Sequence, residues 1–260
     1  MISHALGDFA KSITSWRLWM LLGWLEIRQR YARSRVGPFW LTISMGVVIG
    51  AIGVVYGTLF GQTMRDYLPF LAVSLVMWNF FAQTVQEGSV AYINSATYIR
   101  QAATSKMIFI LMVVWRNLIV LAHNFLIVLL LFFVFGVSNW ATLWLFIPAM
   151  VIYILNAFWL AMLAGLLSAR FRDLPQIITA LLQIAFYVTP IMYRPNALNR
   201  YEFIVEFNPL AYLVELVRGP LTGSVPSLLT WGVTAGMAVL GLIFALTLTG
   251  RYLKRIPYWV

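Results

Sequence analysis

The chain has 260 residues and not one cysteine, which excludes disulfides and thiolate metal sites. Charge is scarce as well. Only 10% of residues are charged, and eight acids stand against 18 Lys and Arg. No Gly-x-x-x-x-Gly-Lys-Ser/Thr occurs, so the chain carries no P-loop with which to hydrolyse ATP. It also lacks Gly-x-Ser-x-Gly and His-Glu-x-x-His. No inverted repeat of broken spans with intramembrane acids is visible, and that repeat is the usual mark of an ion-coupled carrier. No cleavable signal peptide is evident. The early apolar stretch Leu18 to Leu25 is short, has no small-residue cleavage site and is followed by charge.

What the chain does have is apolar surface: 62% of its residues are hydrophobic. A single water-soluble core of this size cannot hide that surplus, because too few polar residues remain to cover it. Lipid is the natural solvent for the excess. The net charge of +10 taken alone would suit nucleic acid. The placement of the charge argues otherwise. "RQRYARSRVGPFW" sets Arg28, Arg30, Arg33 and Arg35 directly before a long apolar run, for which a nucleic-acid arm has no use.

A helix crossing the hydrocarbon needs about 20 mostly apolar residues. Six segments qualify: Phe39–Gly61, Tyr67–Gln86, Ile108–Gly136, Ala141–Ser168, Leu174–Tyr193 and Leu228–Gly250. The expected architecture is all-α and membrane-integral over 39–250. A cytoplasmic amphipathic interface segment precedes it at 1–38 and a cytoplasmic tail follows at 251–260. Within it, 88–107 is a cytoplasmic loop and 194–227 an outer loop. Lys and Arg crowd the segments that lie inside if the N-terminus is cytoplasmic, which puts both termini there. Arg28, Arg30, Arg33 and Arg35 then anchor the first span among anionic head groups. "ITSWRLWMLLGWLEIRQRY", broken by Arg17 and Glu26, suits a helix lying in the interface, although a tilted seventh span is the alternative.

Polar and small residues mark faces of these spans. Gly46, Gly50, Gly53, Gly57 and Gly61 share one side of the first, fit either for packing inside the subunit or for contact between two copies. Arg116, Asn117, His123 and Asn124 share one side of the third. Arg116 either snorkels or pairs structurally, or it lines a transport path together with Asn117. His123, a path candidate beside them, reads as a hydrogen-bonding residue rather than a proton carrier, since no carboxylate partner is obvious. Trp78, Phe80, Phe81, Phe158 and Trp159 are either packing or a tolerant stacking surface for sugar rings, by analogy with platforms for single-stranded nucleic acid.

Prolines cut the outer loop into pieces, and "YEFIVEF" and "LAYLVELVR" read as brief amphipathic helices. They are too short to span and fit an ordered lid that can dip into the outer leaflet. Glu202, Glu206, Glu215 and Arg218 supply its polar groups. On the inner side, Tyr92, Ile93, Tyr98 and Ile99 are apolar knobs in a polar loop, where a short helix would suit a partner's groove. In "SARFRDLPQ", Arg170 and Asp173 flank a turn, with Asp173 placed to cap the next helix and Pro175 in its first turn.

Four pieces in order, "RYARSRVGPFW", "ARFRDLPQII", "YVTPIMY" and "FNPLAYLVELVRGPL", together with six spans, resemble the membrane subunit of bacterial ABC-2 exporters. That group exports O-antigen, capsule and teichoic-acid polymers. Members often carry Leu where this chain has Val36. The resemblance covers nearly the whole chain and implies a homodimer docked on two separate ATP-binding subunits that hold the ATP and Mg. This chain would then be a permease without a cofactor or catalytic residues of its own. It would sit in the inner membrane and carry a lipid-linked polysaccharide. The loop after span two would supply a coupling helix, with Arg170 and Asp173 nearby. The outer loop would form a re-entrant periplasmic gate around Pro190, Tyr193, Glu202, Glu206, Pro209, Glu215 and Arg218. The arginines at 28–35 would also attract the carrier's phosphates. A permease for a small lipid or drug is the alternative. An enzyme on lipid-linked sugars would need clustered acids, whereas Asp66, Glu87 and Asp173 are scattered.

Overall fold

The computed structural model describes residues 2–31, 37, 39–101, 105–136, 139–194 and 203–260, with backbone only for 2–5, 30 and 31. The side chain of Arg30, and the whole of Arg33, Arg35 and Glu202, lie outside the described residues. Among those described, every regular element is helical.

Two helices, α1 (Ile2–Thr14) and α2 (Trp16–Tyr31), precede the first long span, α3 (Phe39–Leu59). Then come α4 (Met64–Asn94), α5 (Ala96–Gln101) and α6 (Met107–Phe135). A 3-10 turn at Trp140–Leu145 leads into α7 (Phe146–Arg170), followed by α8 (Leu174–Val188). The chain closes with α9 (Phe203–Glu206), α10 (Pro209–Thr222), α11 (Leu228–Tyr252) and α12 (Ile256–Trp259).

Local chemistry explains three helix starts. Asn139, Asn208 and Ser227 accept from Ala141, Leu210 and Thr230 amides respectively, so each satisfies a free N–H at a helix start. The start of α6 is capped from a distance. The Asp8 carboxylate on α1 accepts from the Lys106 and Met107 amides at 3.1 and 3.2 Å. Asp173 occupies the N-cap position of α8, but its side chain makes no capping bond, which corrects the expectation for that residue.

Among the described residues, five helices are long and apolar enough to cross a membrane: Phe39–Leu59, Met64–Asn94, Met107–Phe135, Trp140–Arg170 and Leu228–Tyr252. The segment expected as a span over Leu174–Tyr193 is helical for only 15 residues. That is about 22 Å, less than the ~30 Å hydrocarbon core. Proline at 190 is the cause. It disfavours helix at the residue before it, and Thr189 is extended at φ −85, ψ 138. The segment 88–107 was expected as a loop that carries a short helix. There α4 runs on to Asn94 and α5 follows it.

The central helix is α4, packed against α3, α6, α7, α8 and α10. Its tightest crossing is with α7. A Cβ on Gly88 would lie 2.9 Å from Ala161 Cα, and one on Gly165 would lie 2.8 Å from the Gly88 carbonyl. Gly53 and Gly57 of α3 pack on Leu68 and Met64, so these two small residues serve contacts inside the subunit. The apolar interior forms two clusters. One surrounds the N-terminal half of α4, with α6, α7 and α10. The other joins the far end of α4 to α6, α7 and α11, with Phe9, Trp19 and Trp259 packed against it. Arg170, Arg172, Arg251 and Arg255 cluster near the second, which we call the basic end.

Candidate functional site

A groove of about 580 Å³ runs between α3, α4, α6 and α8. Its size falls within the ~300–1,000 Å³ of small-molecule sites. Helical spacing builds it. On α4, Leu75, Trp78, Asn79, Ala82, Gln83 and Gln86 recur every three or four residues and so line one face. Thr179, Leu182, Gln183 and Phe186 do the same on α8. Asn117 and Asn124 enter from α6, and Ser44 from α3. Gln86 Nε2 donates to Thr179 Oγ1 at 3.3 Å across the groove. Asn124 is buried, and its side-chain carbonyl has no hydrogen-bond partner among the described residues. So much carboxamide within helices long enough to span calls for a wet or protein-covered surrounding, because lipid cannot satisfy it.

The end of the groove nearest the basic end is closed by charge. Arg116 on α6 donates to Glu87 on α4 from Nη2 at 2.7 Å, and Asn117 Nδ2 donates to the same oxygen at 2.8 Å. Arg116 also pairs through Nη1 with Glu26 on α2. This side chain is therefore fixed between two carboxylates, and α2 is tied to α4 and α6 at one point. His123 sits apart from the groove lining. Its Nδ1 lies 2.8 Å from the Ile119 carbonyl and its ring meets Phe39 edge-on.

At the other end, α10 runs along α4. Leu210, Leu213 and Val214 lie around Trp78, Phe81 and Tyr153, while Pro220 accepts from Thr142 near the start of α7. Arg218 is buried and holds this helix in place. Its Nη1 donates to the Pro190 carbonyl at 2.6 Å and to Ser74 Oγ at 3.2 Å, its Nε donates to Glu215 at 3.1 Å, and its guanidinium lies 4.3 Å from the centre of the Phe70 ring. Tyr67 donates to the Met192 carbonyl and Asn208 to Thr189, so the bend at 189–192 is stitched to both α4 and α10. Tyr193 donates to the Val188 carbonyl at 2.9 Å, and burial raises the pKa of its hydroxyl. Glu206 and Pro209 are exposed. A wider opening of about 1,230 Å³ lies beyond, bordered by Arg65, Asp66, Arg194 and Arg218.

Of the aromatics named from the sequence, Trp78 lines the groove and lies 6.0 Å from Phe186, ring to ring. Phe80 and Phe81 are core residues against Tyr153. Phe158 packs on Phe9, and Trp159 lies over Gly241 while donating to Asn156. Tyr92 and Ile99 are buried in the cluster at the basic end, Ile93 is half-buried, and Tyr98 on α5 stays 65% exposed. Arg28 and Asp173 are exposed, and Arg170 is exposed with its guanidinium over Trp259. Sequence reasoning missed Asn79, Gln83 and Gln86, and Thr179 with Gln183. Polar residues at helical spacing inside apolar runs were the available signal.

Residues 17–222 match the family described as ABC-2 type transporter. The chain belongs to that family. Among curated proteins, it is 24% identical over 200 residues to the O-antigen export system permease protein RfbA of Klebsiella pneumoniae, covering 73% of this chain and 74% of that one. It is 26% identical, with the same coverage, to the protein of that name from Myxococcus xanthus. An ABC-2 permease is a transport subunit whose family works with ATP hydrolysed on a separate subunit. The groove, the charge cluster and the α10 clasp are thus features of an integral membrane permease.

Proposed function

We propose that this ABC-2 permease exports a lipid-linked polysaccharide across the bacterial inner membrane, driven by ATP. The observation that carries the reading is a groove of carboxamides, hydroxyls and Trp78 cut between three helices long enough to span a membrane and the shorter α8. Such groups bond sugar hydroxyls, and Trp78 offers a stacking face. The names of the O-antigen relatives support the same substrate class. A second copy covers the groove and completes a channel. Two ATP-binding subunits, holding ATP and Mg, dock at the basic end, where Tyr98 on α5 offers a protruding apolar side chain. Both termini then face the cytoplasm, in keeping with the Lys and Arg gathered there. The helix α10 gates the periplasmic end, and arginines at the other face attract the carrier's phosphates.

The test is export. The chain is expressed with a separately encoded P-loop subunit in cells lacking their own polysaccharide exporter. The expected result is surface polysaccharide that needs both subunits, with no ATP hydrolysis by the chain alone. Export of a small lipid or drug without any polymer would replace this reading with the alternative permease.

A further inference from the structure

We propose that Asn124 is a direct contact for the sugar chain, its side-chain carbonyl accepting a hydrogen bond from a hydroxyl of the passing polysaccharide. This inference rests on the export reading and deepens it by naming a residue that grips the substrate. Among the described residues, three asparagines are buried within the long helices: Asn117, Asn124 and Asn156. Two of them are bonded inside the subunit. Asn117 Nδ2 donates to Glu87 at 2.8 Å and to the Val113 carbonyl at 3.0 Å. Asn156 Nδ2 donates to the Ile152 and Thr234 carbonyls at 2.9 and 3.1 Å, and its Oδ1 accepts from Trp159 at 3.0 Å. Asn124 differs. It is only 3% exposed, and its Oδ1 has no hydrogen-bond partner among the described residues.

The fold gains nothing from this arrangement. Burying an unpaired carbonyl is unfavourable, and an apolar side chain of similar size would remove the penalty. A group left so in a native structure calls for a task outside the fold. Its position indicates the task. Among the described residues, Asn124 alone of those with an unpartnered buried polar atom lines the groove. It stands two turns of α6 from Asn117, about 10 Å along the axis and on the same face. Thr42 of α3 donates to the His123 carbonyl at 3.0 Å, which bonds α3 to α6 beside this point. Gln83 and Gln183 also line the groove but are exposed, so water can serve their amides. The amide of Asn124 is served by a ligand that enters. A sugar hydroxyl donates and accepts, as an amide does, whereas a lipid chain does neither. The terminal torsion of an asparagine is broad, so a turn about it brings the oxygen to the groove.

The experiment uses the complete transporter, this chain with its ATP-binding subunit, in cells lacking other exporters and making a hexose polymer on an isoprenoid diphosphate carrier. Asn124→Leu removes the amide at similar size. Surface polymer should fall about fivefold or more, the worth of one hydrogen bond. The unfolding temperature of the purified variant should stay level or rise, because an unpaired carbonyl has been removed. Asn124→Ser, which keeps a hydroxyl, should export more than Asn124→Leu. Undiminished export by Asn124→Leu would overturn the inference and leave the export reading standing. A lowered unfolding temperature would show that the amide is bonded within the fold, and loss of pairing between two copies would show that it is bonded to the second copy. Either result would overturn the assignment to sugar. A serine variant no better than the leucine variant would overturn hydrogen bonding as the cause. Export of no polymer by the unaltered, assembled transporter would overturn the export reading itself.

Discussion

Glu87 of α4 accepts from Arg116 of α6 at 2.7 Å, and the same arginine reaches Glu26 of α2. One guanidinium therefore joins α2 to α4 and α6 at the foot of the groove. Arg116→Ala would remove the guanidinium that partly buried Glu87 holds at 2.7 Å. Breaking a buried pair in this way costs about 3–5 kcal/mol. Glu87→Gln keeps a carbonyl for Arg116 and leaves Glu26 in place, so its cost should be near 1 kcal/mol. Thermal unfolding of the two variants in the same detergent checks the order. Equal losses would show that the pair does not support the fold.

The crossing of α4 and α7 leaves no room at Gly88. A methyl group there meets the Cα and carbonyl of Ala161 at 2.9 and 3.1 Å, and backbone cannot move aside as a side-chain tip can. Gly88→Ala should destabilise by about 1–3 kcal/mol. Adding Ala161→Gly should restore only part, because the Ala161 backbone remains. Unfolding temperatures of the single and double variants decide this.

Arg218 holds α10 to the bend at Pro190 and to Ser74. The natural chain has no cysteine, so Leu213→Cys provides a single reporter on the buried face of α10. Arg218→Ala in that background should raise its thiol labelling rate by about tenfold or more, as expected if the lost bonds are worth at least 1.4 kcal/mol. Arg218→Lys keeps the charge but not the planar fork, and should fall between the two. Unchanged labelling would mean that apolar packing alone holds α10.

Tyr98 and Ile99 are neighbours on α5 with opposite surroundings, one exposed and one buried. Tyr98→Ala should weaken docking of the ATP-binding subunit tenfold or more, on the order of an interface anchor. It should leave the unfolding temperature of the permease unchanged. Ile99→Ala should lower that temperature through lost core packing, by about 2 kcal/mol or more. Affinity and stability measured on both variants separate the roles.

Much of the architecture was legible along the chain. Apolar runs of sufficient length mark the five long helices, and Pro209 with Gly223 brackets α10. The stop of α8 was also written there, in Pro190. It was read as the end of a span because hydropathy counts residues without regard to backbone. The segment after Gln86 was legible in part, since a short helix was expected there and α5 is one. Small and polar residues after Gln86 suggest a loop, yet Gly88 lets α4 continue by packing closely on α7.

The candidate site was less legible. Asn117 and Asn124 were recognised on one face of α6, but their partners on α4 and α8 were not. Composition and periodicity determine that this chain lives in lipid as a set of helices, and which residues share a face of each, because burial of apolar surface and helical geometry act locally. They do not determine how a helix is turned toward its neighbours. Only packing decides that Trp78 faces the groove while Phe80 enters the core, and that Arg116 meets Glu26 and Glu87, residues 90 and 29 positions away. Contacts at such separations depend on the mutual rotation of whole helices, which the fit of side chains and close approaches such as Gly88 to Ala161 sets.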